Sequence, residues 1–117
     1  MGKLTTHVLD TALGQPGAGI RIELFRIEGE ARHALKQVLT NSDGRCNEPL
    51  LEGENFTVGE YELVFHAGDY FAAAGIALPA PRFVDRAVLR FGVADNAAHY
   101  HVPLLVSPWS YSTYRGS

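Results

Sequence analysis

The sequence predicts an all-β fold: a sandwich of two antiparallel sheets built from about eight short strands, with one short helix near residues 69–75. Three observations carry this expectation. Apolar and polar residues alternate with the two-residue period of a half-buried strand in one segment after another. Clusters of Gly, Pro, Asn and Asp interrupt these segments at the spacing of an antiparallel sandwich. Only one stretch, DYFAAAG, has the composition of a helix.

Lys3 to Asp10 reads as the first strand, and TALGQPGAG after it as a turn-rich link, because Gly and Pro supply backbone angles that strands do not adopt. In Ile20–Ile27, Ile20, Ile22 and Leu24 alternate with Arg21 and Glu23. The acidic break at Glu28 to Glu30 predicts a hairpin loop, returning into a strand with Leu35, Gln37 and Leu39 on one face and Ala34, Lys36 and Val38 on the other. TNSDGR then turns the chain, since Asn, Asp and Gly tolerate the left-handed angles of a tight turn. A strand from about Gly59 to Ala67 places Tyr61, Leu63 and Phe65 on one face.

The helix follows, with Asp69 as expected N-cap and Gly75 as its stop. LPAPRF breaks regularity, and alternation returns from Val84 to Val93 with Ala87, Leu89, Phe91 and Val93 on one side. HYHVPLLV and YSTY complete the set. Pro103 cannot donate to a ladder, so it marks an edge or a bulge and places the last strands at a margin of the sheet, where partner subunits could meet.

At 117 residues the chain has the length of a single domain, expected to span residues 1–117. A net charge of -3 lacks the basic excess of a protein that grips phosphate backbones, so nucleic acid is a poor partner. No apolar run approaches the roughly 20 residues that span a bilayer, and MGKLTTHVLD lacks the apolar core of a signal peptide. A cytoplasmic protein with no membrane partner is expected. The single cysteine, Cys46, excludes an intramolecular disulfide and fits a reducing compartment.

Four polar features can carry chemistry: His7 in the first strand, Arg45 at the end of TNSDGR, the pair His99 and His101, and the C-terminal YRGS. In a strand, His99, His101, Pro103 and Leu105 share one face, so two imidazoles in register can supply a base, an acid or two metal ligands. Taken singly, each feature has a plainer explanation: a histidine on a solvated or hydrogen-bonded strand, or an arginine in a solvated turn. Together, imidazoles, guanidinium groups, a hydroxyl and the chain's carboxylate would surround a small, oxygen-rich anion and could activate water on it. A zinc site on HxH would need His7, His33 or His66 as third ligand, and neither CxxC nor HExxH accompanies it. Cys46 beside Arg45 could be a thiol nucleophile, although a half-buried structural cysteine is commoner, and no GxSxG supports a serine triad.

Three segments, LTTHVLDTALGQPGAGI, TNSDGR and HYHVPLLVSPWSYSTYRGS, occur in the order of three motifs of one family. On these, the chain resembles the 5-hydroxyisourate hydrolases, transthyretin-related enzymes of urate breakdown, along essentially its whole length. The resemblance implies a transthyretin-like sandwich and hydrolysis of 5-hydroxyisourate to 2-oxo-4-hydroxy-4-carboxy-5-ureidoimidazoline. It implies catalytic roles for His7, Arg45, His101 and Ser117, and substrate contacts from His7, Arg45, Tyr114, Arg115 and Ser117. It implies neither a metal nor an organic cofactor. It further implies a homotetramer, a dimer of dimers with sites in a channel between the dimers. Transthyretin shares the pattern LLxSPxSYS, so a carrier that binds a small ligand without turnover is the alternative. That carrier lacks the His7, Arg45, His101 and YRGS set.

Overall fold

The computed structural model describes residues 2–116 and contains two packed sheets. The strands are β1 (Lys3–Asp10), β2 (Gln15–Pro16), β3 (Arg21–Glu28), β4 (Ala31–Leu39), β5 (Leu51–Glu52), β6 (Gly59–Phe65), β7 (Ala87–Val93), β8 (His99–Val106) and β9 (Tyr111–Ser112), with one helix, α1 (Ala67–Ala73). One sheet has the order β2-β1-β8-β9, with β5 also on β1; the other has the order β4-β3-β6-β7. The expected sandwich is therefore present. Every pair is antiparallel except β1 with β8, which runs parallel with Lys3 opposite His99, Thr5 opposite His101 and His7 opposite Pro103. Alternation fixes which side chains turn inward but not the direction of the neighbour.

The inward positions follow the pattern of the sequence. Leu4, Val8, Tyr100, Val102, Leu104 and Val106 of the first sheet meet Ile22, Leu24, Tyr61, Leu63, Phe65, Ala87 and Leu89 of the second, all buried. Phe56 and Phe71 join this core at 0% exposure. Each large apolar side chain so buried stabilises the fold by about 1.5–3 kcal/mol relative to exposure.

Two strands depart from simple alternation. β6 is buried on both faces from Tyr61 to Phe65, because Arg32 and Arg90 lie over its outward Glu62, each 3.3 Å from a carboxylate oxygen. β4 is exposed on nearly every residue, an edge strand held by β3 alone. Its sequence contains Arg32, His33, Lys36 and Gln37, and charged side chains on an edge discourage pairing with another chain.

The helix starts three residues earlier than an N-cap at Asp69 suggests. His66 occupies the N-cap without a side-chain cap bond, and Asp69 sits in the first turn with its carboxylate 2.7 Å from Arg82. Gly75 does stop the helix: at φ +88°, it donates to Ala72 O while Ile76 donates to Phe71 O.

Pro103 marks a margin only locally. β8 is an inner strand between β1 and β9, and its outer side pairs twice with the C-terminal segment, at Leu105–Ser112 and through Gly116 N–H to His101 O at 2.7 Å. Pro103 falls between these contacts, where the Thr113 hydroxyl donates to its carbonyl at 2.7 Å and no backbone donor is required.

Candidate active site

The edge of β1 away from β8 is covered in sequence by three short segments: β5 at Lys3 and Leu4, Arg45 at His7, and β2 at Leu9 and Asp10. The middle contact brings TNSDGR to the first strand. The turn is held by Asn41, whose side-chain oxygen accepts the backbone N–H groups of Asp43 and Arg45, and whose own N–H donates to Arg45 O at 2.7 Å. Gly44, at φ +76°, donates to Asn41 O, and its carbonyl accepts from Val8 N–H at 2.8 Å. A Cβ there would lie 2.5 Å from Val8 O, so only glycine permits this docking.

β1 and β8 then place their outward side chains on one surface. Lys3, Thr5 and His7 stand beside His99, His101 and Pro103 in the parallel register. Lys3, Thr5, His99 and His101, with Arg45 and the Cys46–Pro49 segment, line an open cleft of about 480 Å³. His7 stands just beyond this lining, with Nε2 donating to Asp43 O at 2.8 Å, since a carbonyl can only accept. Three of the four expected catalytic residues, His7, Arg45 and His101, thus converge from separate parts of the chain. The fourth, Ser117, lies outside the described residues.

The electrostatics of the cleft act on His101. Desolvation by burial lowers its pKa from the usual 6.5, and the positive charge of Arg45, followed by the neighbouring His99 and His7, lowers it further. Its neutral form therefore persists to more acidic pH than that of a free imidazole. Its Nδ1 lies 2.8 Å from the Thr5 hydroxyl, leaving Nε2 as its other ring nitrogen, and His99 Nε2 reaches the same hydroxyl at 2.8 Å. Thr5 was not singled out by the sequence, where it is one of two adjacent threonines in an alternating strand. The signal available was its position two residues before His7 on the same strand face.

The end of the chain divides its roles. Gly116 packs so closely on His101 that a Cβ would come within 2.7 Å of the imidazole Cδ2. Arg115 turns away from the cleft: its guanidinium lies 3.9 Å from the centre of the ring of Tyr100, a residue of the opposite, inward face, and its second contact is to His99 O at 3.4 Å. Tyr114 is exposed and does not line the cleft.

Other candidates separate from this site. Burial pushes the Cys46 thiol up, away from a thiolate, with Lys36 opposing it weakly. His33, on β4, is 3.8 Å from Glu28, and His66 is 2.7 Å from Glu23, so both belong to the other sheet's ion pairs. Among the described residues no group of three or more His, Cys, Asp or Glu is placed to hold a metal ion. A larger cleft of about 620 Å³ lies beside α1, lined by Gln15, Arg21, His66, Asp69 and Tyr70. Its polar groups are already committed. The hydrogen bond from His66 lowers the pKa of Glu23, Arg82 does the same to Asp69, and Tyr70 is raised by burial and by its hydrogen bond to Asp10. The chemistry therefore concentrates in the smaller cleft.

The profile of the HIUase/Transthyretin family matches residues 4–116. The chain belongs to the HIUase/Transthyretin family. Within it, the chain is 65% identical to the 5-hydroxyisourate hydrolase of Ralstonia nicotianae over the full length of both. It is 64% identical to 5-hydroxyisourate hydrolase 2 of Rhizobium meliloti, covering 99% of this chain and 97% of that one. Among solved structures, the Klebsiella pneumoniae 5-hydroxyisourate hydrolase superposes with a TM-score of 0.81 at 34% identity, covering all of both chains. An (S)-allantoin synthase superposes at 0.94 with 50% identity, and this chain spans 44% of its length. Sea bream transthyretin, in complex with thyroxine, reaches 0.85 at 22% identity over 97% of this chain and 94% of that one, a likeness of fold alone.

Proposed function

We propose that this protein hydrolyses 5-hydroxyisourate to 2-oxo-4-hydroxy-4-carboxy-5-ureidoimidazoline, with the whole chain acting as one domain. The observation that carries this is the convergence of Arg45 and His101 on one cleft, with His7 bridged to Arg45 at its border. It is supported by full-length relatives at more than 60% identity that bear the hydrolase name.

In this mechanism His101 Nε2 takes a proton from water as the oxygen attacks the ring carbonyl. Arg45 carries a fixed positive charge where the carbonyl oxygen becomes an oxyanion. As the intermediate collapses, the carbon–nitrogen bond breaks and the imidazolium of His101 returns the proton to the departing nitrogen. His7, whose Nε2–H is held by Asp43 O, keeps Nδ1 as the acceptor of its neutral ring beside Arg45, at the border of the cleft. Ser117 completes the set as a substrate contact through its hydroxyl or backbone amide. Arg115 contributes indirectly, by stacking on Tyr100 and so setting where the chain end lies.

The protein acts as a homotetramer in which a second copy covers the cleft. The open cleft supports this, as do the exposed aromatic residues Phe83, Trp109, Tyr111 and Tyr114, near or beyond β9 in the chain or paired with that region. It works in the cytoplasm. Its single cysteine fits a reducing compartment, and no helix of the described residues is long and apolar enough to cross a membrane.

The test is to generate 5-hydroxyisourate in situ from urate with urate oxidase and to follow its ultraviolet absorbance. Faster decay in the presence of the protein, unaffected by chelators, is expected. Unchanged decay alongside a stoichiometric, unreactive complex would favour a transthyretin-like carrier, and activity lost on chelation and restored by zinc would favour a zinc hydrolase on His99 and His101.

Gly116→Ala gives a local test of the chain end. The added methyl meets the His101 ring and displaces the terminus, so turnover should fall by on the order of 10- to 100-fold. Melting temperature should stay close to wild type, since Gly116 lies outside the core. Undiminished turnover in Gly116→Ala would show that the terminus has no precise position to keep.

A further inference from the structure

Thr5 stands at the junction of two imidazoles, on the same outward face as His101 and paired with it in the β1–β8 register. Its hydroxyl lies 2.8 Å from His101 Nδ1 and 2.8 Å from His99 Nε2. A hydroxyl has one proton to donate, so it can donate to only one of these nitrogens and must accept from the other whenever both bonds form. The tautomers of the two rings are coupled through this one oxygen.

We infer that Thr5 is a positioning residue, which accepts from His101 Nδ1–H and donates to His99 Nε2, and so holds the lone pair of His101 Nε2 toward the cleft. The inference rests on the proposed hydrolytic role of His101 and adds to it a group that selects the tautomer. The direction follows from the role. A base at Nε2 needs its proton on Nδ1, and the only hydrogen-bond partner of Nδ1 among the described residues is the Thr5 oxygen. His99 then accepts at Nε2 and carries its own proton on Nδ1. When His101 becomes an imidazolium, the Nδ1–H to Thr5 bond is kept, so the ring does not reorient within the catalytic cycle. Burial and the charge of Arg45 favour neutral His101, and Thr5 decides which neutral form it is.

The outward hydroxyl has no role in the core, which makes the substitution clean. Thr5→Val keeps the β-branched shape suited to the strand and removes only the hydrogen-bonding oxygen, whereas Thr5→Ser keeps the oxygen. Thr5→Val should lower kcat by on the order of 10- to 100-fold with KM changed little, the range seen when an outer hydrogen-bond partner that orients a functional imidazole is removed. Thr5→Ser should restore most of it.

The second readout needs no substrate. Nitrogen NMR of the imidazoles should find His101 protonated at Nδ1 and His99 accepting at Nε2 in the wild type and in Thr5→Ser. In Thr5→Val both signatures should be lost. A Thr5→Val protein with wild-type kcat, or a wild type whose neutral His101 carries its proton on Nε2, would overturn the inference. If the protein proved inactive on 5-hydroxyisourate, the NMR result would still report on the Thr5 coupling, so the two failures are distinguishable.

Discussion

Arg45→Glu is expected to reduce kcat/KM on 5-hydroxyisourate by about a thousandfold or more, the equivalent of roughly 4 kcal/mol of transition-state stabilisation. The fold should survive. What Arg45 contributes to structure comes from its backbone, which closes the Asn41 turn and bridges to His7. Its guanidinium makes no hydrogen bond or ion pair among the described residues, and it lines the cleft. A glutamate can keep the backbone bonds while replacing a positive charge by a negative one where an oxyanion must form. The same change has a second consequence. The Arg45 charge helps to hold the His101 pKa below 6.5, so reversing it should raise that pKa, readable by NMR titration without turnover. A folded Arg45→Glu protein with near-wild-type kcat/KM would remove Arg45 from the mechanism. An unmoved His101 titration would separate it from the electrostatics of the cleft.

How such a cleft is encoded can be seen by asking which of its parts the sequence displays. β1 and β8 are legible because their inward residues, Leu4 and Val8, Val102 and Leu104, alternate with polar ones, and alternation assigns His7, His99 and His101 to the outward face. That the two strands are neighbours, and parallel, is a long-range fact. It depends on the path of about 90 intervening residues, and no local period reports it. Thr5 is invisible for that reason: its importance lies in standing opposite His101, which is a property of the register alone.

Arg115 shows the converse. A motif specifies that Arg115 precedes Gly116, but not which way its long side chain turns, and it goes to the π face of Tyr100. β4 shows a limit of another kind. Its sequence has a strand's length and a plausible alternation, yet both faces are solvated, because an edge strand needs only one paired neighbour to form. Asp69 reads as a helix cap on composition, but Arg82, 13 residues away, provides it with a partner inside the first turn. In each case a contact distant in sequence outweighs the local preference.

The assignment of His101 as the base leads to the second large effect. His101→Asn should lower kcat by about a hundredfold to ten-thousandfold, the range attributed to a positioned acid–base group, with little change in KM. Asparagine suits the test because its amide can replace Nδ1 as the partner of Thr5 while offering nothing at the position of Nε2. The other two histidines are poorer candidates: His7 stands outside the residues that line the cleft, and the more exposed His99 directs Nε2 to Thr5. The pH dependence distinguishes loss of a base from a merely damaged site. Since the folded-state pKa of His101 is lowered, its neutral form should support activity to below pH 6.5, with activity lost as the pH falls through the shifted value. The same sign applies to stability: the unfolded chain binds the proton more readily, so this contribution is complete above 6.5 and lost as the pH falls through the folded-state pKa. His101→Asn should remove that acid limb from the residual activity and make unfolding less sensitive to acid. A variant that retained the wild-type acid limb would transfer the base role to His7 or His99, and Thr5 would then be positioning the wrong ring.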